Sequence, residues 1–178
     1  MEENKVVPIK DEHNTDKASD IIDVHPQSWM ALISNDTPVM SLILAGTHNS
    51  GAYLSKNFLW WVKDYTLCQN YCVKDQLLMG VRFLDLRISL YKETDTFSYY
   101  ITHAFVLVPL LVVIVDLWEF LNENPSETVF LLVKPGSRVW NVDLFQESQT
   151  VKLNNKDMPA VAEWIEKVFN TLNEKHQL

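Results

Sequence analysis

Apolar residues in this chain fall into short runs separated by glycine, proline and charged residues. The runs at 39–45, 80–90, 97–104 and 128–134 are rich in Val, Leu, Ile and Phe. Most are bounded by Gly or Pro, which is typical of strands. The pattern therefore predicts four strands.

Other segments have the spacing of helices. A short helix is predicted over 28–33, and one or two helices over 52–79, broken near the cysteines. Pro109 is well placed to open a helix that ends near residue 122. The last helix, 158–172, has apolar residues at helical spacing, namely Val161, Trp164, Ile165 and Phe169. The order of elements is that of an α/β fold.

The chain has 178 residues and is 47% hydrophobic, which suits one domain with an ordinary core. Residues 1–25 are predicted to form a flexible leader and residues 26–178 the domain. The first residues lack the apolar centre of a secretory signal, so we expect a cytoplasmic protein.

Charge and cysteine content exclude several classes of function. The net charge of −8, without a Lys/Arg cluster, argues against a nucleic-acid partner. An anionic headgroup would have to be bound by a few well-placed cations. Cys68 and Cys72 are too few for a zinc site, and free thiols in a reducing compartment are expected.

Four polar residues at predicted strand ends suggest phosphoryl-transfer chemistry. His48 and His103 each follow a short apolar run, and Asp85 and Arg87 point the same way from one strand. One imidazole can take a proton and the other can give one, while the guanidinium holds phosphate oxygens.

Four segments, in matching order and spacing, resemble the X domain of phosphatidylinositol-specific phospholipase C, most of all the small X-domain-only and bacterial proteins. They are Ala45-Gly46-Thr47-His48-Asn49-Ser50-Gly51, Gly80-Val81-Arg82-Phe83-Leu84-Asp85-Leu86-Arg87, Tyr100-Ile101-Thr102-His103, and Asn122 to Lys134. The resemblance implies a TIM-type barrel, which normally takes about 250 residues. We therefore expect only the N-terminal part of the barrel, with open strand edges that self-association would cover.

The resemblance also implies a role for each residue. His48 would be the general base that takes the proton of the inositol 2-hydroxyl, and His103 the general acid for the diacylglycerol oxygen. Arg87 would stabilise the phosphate oxygens. Asp85 would orient Arg87 or His103, and Lys134 would contact the inositol or phosphate.

The resemblance implies neither a metal nor another cofactor. The large eukaryotic members bind calcium with acidic groups at the positions of Arg87 and Lys134, and here both are cations. Asn49 is expected to contact substrate. The metal-independent bacterial members carry Asp at that position, whereas the calcium-dependent members carry Asn as this chain does, and an amide cannot supply the negative charge. Ala104 replaces a glycine found in many members.

One support of the bacterial site has no counterpart in this chain. In those enzymes an Asp from the second half of the barrel assists the first histidine.

Shortly after the His48 turn, Phe58, Trp60 and Trp61 lie where the bacterial relatives place an interfacial helix, so they are expected to enter the membrane interface. Packing in the core is the alternative for these aromatic residues.

The expected function is cleavage of phosphatidylinositol to diacylglycerol and inositol cyclic phosphate during transient membrane association. The alternative is a weakly active or inactive X domain that binds a phosphoinositide or a protein. A glycerophosphodiester phosphodiesterase is a weaker third reading, because it needs acidic metal ligands where Asn49 and Arg87 stand.

Overall fold

A computed structural model describes residues 24–53, 66–93, 95–136 and 150–177. In these residues six strands form one sheet: β1 (Gly46–Thr47), β2 (Phe83–Glu93), β3 (Thr96–His103), β4 (Phe105–Pro109), β5 (Phe130–Pro135) and β6 (Thr150–Val151). The described α-helices are α1 (Val73–Leu78), α2 (Leu110–Glu123) and α3 (Met158–His176). Two 3-10 helices, Pro26–Leu32 and Val39–Ser41, precede β1.

Strand β2 is the centre of the sheet. It pairs in parallel with β1 and β5 and antiparallel with β3 and β6, while β4 pairs antiparallel with β3. Parallel strands joined through helices are the arrangement of an α/β barrel. The described sheet is part of such a barrel and leaves β1, a two-residue strand, paired only with β2 among the described strands.

The alternation of β2 separates the core from the polar face. Leu84, Leu86 and Ile88 are fully buried in the hydrophobic core, together with apolar residues of α2. Asp85 and Arg87 point to the opposite face of the sheet. One strand thus anchors the fold and presents charged groups.

Most predicted elements are confirmed. The second and third strands are displaced by a few residues, and the helix predicted to open at Pro109 is α2. Strand β4, just before it, was not predicted. The last helix continues to His176, and the 28–33 helix is a 3-10 helix. The pattern did not predict β6. The leader through residue 23 and the aromatic residues Phe58, Trp60 and Trp61 lie outside the described residues.

The predicted strand over 39–45 is wrong. The chain there forms a 3-10 helix and an extended segment, and pairing begins only at Gly46. The amides of Arg82 and Phe83 both donate to the Ala45 carbonyl, at 3.0 and 3.2 Å, which is where the segment meets the sheet. Upstream, Met40 and Ile43 are each 96% exposed. An apolar run without a strand partner does not form a strand.

A buried ion pair ties the start of the domain to the sheet. The Arg82 guanidinium donates to Glu127 Oε2 from Nε at 2.8 Å and from Nη2 at 2.6 Å, and neither side chain is exposed. Its other N–H groups donate to main-chain carbonyls, including those of Pro26 and Gln27. Glu127 Oε1 accepts the Met30 amide at 3.2 Å. The pair therefore holds the first 3-10 helix.

The turn between β3 and β4 contains backbone strain. Ala104 has φ +58°, a left-handed conformation that L-residues other than glycine adopt at a cost. We expect Ala104→Gly to raise the free energy of unfolding by about 1 kcal/mol, because the relief exceeds the entropy that glycine adds to the unfolded chain. Urea unfolding measures this difference.

A matched control is expected to change the free energy of unfolding in the opposite direction. Ala162 is exposed in the interior of helix α3, where glycine costs about 1 kcal/mol relative to alanine. Ala162→Gly should therefore lower the unfolding midpoint while Ala104→Gly raises it. If both variants lose stability, the strain argument is wrong.

Within the described parts of the chain, no helix combines the length and apolar character that crossing a bilayer requires.

Candidate active site

The His48 turn is attached to β2 by a pair of reciprocal hydrogen bonds. Ser50 N donates to the Asp85 carbonyl at 2.8 Å, and Asp85 N donates to Ser50 Oγ at 2.9 Å. Asn49 adopts φ +48°, which asparagine tolerates better than most residues. Gly51 packs closely, since a Cβ there would lie 2.8 Å from Ile101 Cγ1. The turn therefore presents His48 at a fixed place.

The Asp85 carboxylate contacts both His48, the candidate general base, and Arg87, the candidate phosphate-binding residue. Its Oδ2 lies 3.2 Å from His48 Nδ1 and accepts an N–H from Arg87 Nη2 at 3.1 Å. The Asp85 carboxylate is 9% exposed, whereas the His48 side chain is 67% exposed. Asp85 thus contacts Arg87, one of its two expected partners, and its other partner is His48 rather than His103.

The charges around Asp85 keep it ionised. Burial alone would raise its pKa, but the hydrogen bond and charge of Arg87 act against burial, as do the charge of Lys134 and the Asn49 backbone N–H. The resulting pKa lies below the ordinary aspartate value. At neutral pH a carboxylate therefore stands behind the imidazole, as in other sites where an acid orients a histidine.

The contacts of His48 define its hydrogen-bonding state. Asp85 Oδ2 can only accept, so His48 Nδ1 carries the proton there. The opposite nitrogen, Nε2, lies 3.0 Å from Asn49 Nδ2, a donor. His48 Nε2 therefore carries the lone pair, which accepts the Asn49 amide N–H, and this nitrogen can act as a base only once a substrate hydroxyl replaces the amide.

His103 ends β3 and contacts a different segment. Its Nδ1 lies 3.1 Å from the Thr66 carbonyl and 3.6 Å from Cys68 Sγ. A carbonyl only accepts, which assigns the Nδ1 proton to His103 and leaves Nε2 for another partner. Cys68 Sγ also accepts an N–H from Asn49 Nδ2 at 3.4 Å. The two histidines are thus linked through Asn49 and Cys68.

Lys134 stands beside Arg87 in the parallel register of β2 and β5. Its side chain is exposed, and its positive charge helps to lower the pKa of Asp85. Two cations and one carboxylate therefore share this end of the sheet, which leaves a net positive charge for an anionic group. In the described residues, no three His, Cys, Asp or Glu side chains are grouped as a metal site requires.

Sequence reasoning missed several residues that build the site. Gln76, fully buried, accepts from Thr47 Oγ1 at 2.7 Å and donates to the Ser50 carbonyl at 2.8 Å. Gln69 Nε2 donates to the His48 carbonyl at 2.7 Å. A glutamine between the core residues of α1 was the available signal for Gln76, whereas no local pattern pointed to Gln69 or Cys68.

The chain resembles known phospholipases in sequence and in fold. Variant-surface-glycoprotein phospholipase C of Trypanosoma brucei brucei is 31% identical over 168 residues, which cover 78% of this chain and 46% of that protein. The 1-phosphatidylinositol phosphodiesterase of Listeria monocytogenes is 27% identical over 112 residues, covering 62% and 33%. No family model matches the chain.

A solved structure supports the fold. Phosphatidylinositol-specific phospholipase C of Staphylococcus aureus superposes with a TM-score of 0.52 at 22% identity, over 69% of this chain and 39% of that one. The chain is therefore similar in sequence to phosphatidylinositol-specific phospholipases C and shares part of their fold. It spans less than half the length of each of these three relatives.

Most of the site residues predicted from the sequence form one connected group, and one set lies outside the described residues. His48, Asp85 and Arg87 are in direct contact, and Asn49 bridges toward His103 through Cys68. Within the described residues Asp85 is the carboxylate that contacts the His48 imidazole, a pairing that the sequence did not predict. The membrane-interface aromatic residues lie outside the described residues.

Proposed function

We propose that this chain is a metal-independent phosphoric diester hydrolase that cleaves phosphatidylinositol to diacylglycerol and inositol cyclic phosphate. The observation that carries the proposal is the contact of one carboxylate, Asp85, with both His48 and Arg87. A base, its orienting acid and a phosphate-binding cation are then held together on one strand and its adjoining turn.

In the first step His48 Nε2 takes the proton of the inositol 2-hydroxyl, whose oxygen attacks phosphorus. Asp85 stabilises the imidazolium that forms, because its low pKa keeps it charged. Arg87, with Lys134 beside it in register, balances the charge that develops on the phosphate oxygens. No diffusing nucleophile is needed, since the attacking oxygen belongs to the substrate.

His103 acts as the general acid. Protonated at Nε2, it gives this proton to the diacylglycerol oxygen as the P–O bond breaks. Its Nδ1–H donates to the Thr66 carbonyl, so the ring is oriented before substrate arrives. The products are an inositol cyclic phosphate and diacylglycerol. The proton taken by His48 is released afterwards to solvent, and His103 takes one proton from solvent, which restores both residues.

Unpaired polar atoms at the site support binding of a polar ligand. Asn49 Oδ1, Asp85 Oδ1 and Arg87 Nε are buried and have no hydrogen-bond partner among the described residues. Buried polar atoms are usually paired, so a headgroup with hydroxyl and phosphate oxygens would complete them.

The partner we propose is a phospholipid at a membrane surface, not nucleic acid, in a cytoplasmic protein that associates transiently with the membrane. Self-association is proposed for the open edge at β1, where Met40 and Ile43 are almost fully exposed. Two copies that cover this edge would bury apolar surface that water otherwise contacts.

The test is to incubate purified chain with phosphatidylinositol vesicles in chelator and to follow cyclic phosphate by ³¹P NMR. Phosphatidylcholine vesicles are the control, because their headgroup has no 2-hydroxyl to attack phosphorus. We expect cyclic product from the first vesicles alone. Absence of product from a chain shown to be folded by circular dichroism contradicts the proposal. Light scattering on the same sample measures its mass, and a monomer contradicts self-association.

A second candidate is a non-catalytic module that binds a phosphoinositide. The Asn49 amide beside His48 Nε2 favours it, since that nitrogen must be free to act as a base. In the same experiment this candidate predicts sedimentation of the chain with the vesicles and no cyclic product.

A further inference from the structure

The thiol of Cys68 lies between the two proposed catalytic histidines. Its Sγ lies 3.6 Å from His103 Nδ1 and accepts an N–H from Asn49 Nδ2 at 3.4 Å. Asn49 Nδ2 in turn lies 3.0 Å from His48 Nε2. These contacts form a continuous connection from one imidazole to the other.

The backbone holds Cys68 at this place. The amides of Cys68 and Gln69 both donate to the carbonyl of Ala52, at 2.9 and 3.1 Å. Ala52 is fully buried and follows the His48 turn, and Gln69 Nε2 donates to the His48 carbonyl. The Cys68 segment and the His48 turn are therefore packed as one unit, so the thiol position follows from the fold.

We propose that Cys68 is a positioning residue that orients the His103 ring and the Asn49 amide for the reaction proposed above, and the inference rests on that function. A carbonyl and a sulfur atom both lie within reach of His103 Nδ1, and the two together limit rotation of the ring. Nε2 is then held toward the leaving oxygen. The same sulfur occupies one N–H of Asn49 and so limits the orientation of that amide toward His48.

Cys72 is a matched control within the same chain. It is the other of the two cysteines and precedes α1 as its N-cap residue. Burial raises the pKa of its thiol, and the charges of Asp75 and Asp116 raise it further. Its surroundings are thus the contact between α1 and α2, not the histidines.

The kinetic test compares Cys68→Ala, Cys68→Ser and Cys72→Ala on phosphatidylinositol vesicles. Because a positioning residue acts on geometry, we expect Cys68→Ala to lower kcat about tenfold without changing KM. Cys68→Ser keeps a hydrogen-bonding atom and should lose less, and Cys72→Ala should match the parent chain. Unchanged kcat in Cys68→Ala, or an equal loss in Cys72→Ala, overturns the inference. Should Cys68→Ala fail to fold, Cys68→Val takes its place, because valine fills the site without a hydrogen-bonding atom, and unchanged kcat in that variant overturns the inference.

A second measurement is independent of turnover. Selective ¹⁵N labelling of histidine reports the exchange of the His103 Nδ1 proton, which we expect to be several-fold faster in Cys68→Ala than in Cys72→Ala. Equal exchange in the two variants overturns the positioning role. If the parent chain makes no cyclic phosphate, the proposed function fails, and the exchange measurement still decides whether Cys68 holds the ring.

Discussion

His48→Ala is expected to lower cyclic phosphate formation about 10⁴-fold, the upper range for loss of a general base. Asp85→Asn should lower it about 10²- to 10³-fold, because the amide can neither stabilise an imidazolium nor pair with Arg87 in the same way. Since Asp85 acts partly through His48, the double variant should be little slower than His48→Ala alone. Initial rates on phosphatidylinositol vesicles measure all three.

The control for these variants is His176→Ala. His176 is an exposed residue at the end of α3, where its ring packs against Trp118 at right angles. It should therefore retain the parent rate. Losses in the double variant that multiply would contradict the coupling between Asp85 and His48, because independent groups contribute additive free energies.

Asp85 also links the site to pH. Its folded pKa lies below its unfolded value of about 3.9, so the charged form stabilises the fold. This stabilisation is complete above about pH 5 and is lost as pH falls through 3.9 toward the folded pKa. The stability difference between the parent chain and Asp85→Asn should therefore shrink below about pH 4.

Arg82→Met is expected to lower the free energy of unfolding by about 3–5 kcal/mol, the cost of leaving a buried charge without its partner. Glu127 would keep a carboxylate with no exposure, and the carbonyls of Pro26 and Gln27 would lose their donors. Such a loss is a large part of the stability of an ordinary domain. Urea unfolding followed by tryptophan fluorescence measures it.

Two further variants test whether the loss comes from the buried ion pair itself. Lys74→Met removes a partly exposed cation that pairs with Glu119 and Glu123, and the expected loss is much smaller because solvent reaches and screens these charges. The double variant Arg82→Met/Glu127→Gln should regain part of the loss, since it removes the unpaired charge. A loss in Arg82→Met no larger than in Lys74→Met would contradict the structural role of the pair.

Local patterns predicted most of the fold. The alternation in β2 and the helical spacing in α2 and α3 follow from neighbours a few residues apart, which the sequence displays directly. The strand over 39–45 was predicted incorrectly because strand formation needs a partner, and apolar composition does not supply one. The two-residue strand β6 was missed because its pairing with β2 carries almost no local pattern.

The candidate site was predicted in part. His48, Asp85, Arg87 and His103 were selected as side chains near strand ends, but which carboxylate serves which histidine depends on how the His48 turn packs against β2. Arg82 shares the strand phase of Leu84 and Leu86, so an arginine among core positions was a usable signal for a buried ion pair. No local pattern identified its partner Glu127, which lies 45 residues away in the chain.

The sequence by itself determined most of the order of strands and helices, the family resemblance and the residue types available for phosphoryl transfer. These features depend on local spacing and on motifs, which can be recognised without any knowledge of long-range contacts. Only the tertiary structure decided that Asp85 contacts His48, that Cys68 connects Asn49 to His103, and that Arg82 is sequestered with Glu127. Each of these contacts joins segments far apart in the chain, and their distances arise only when the sheet and its turns pack together.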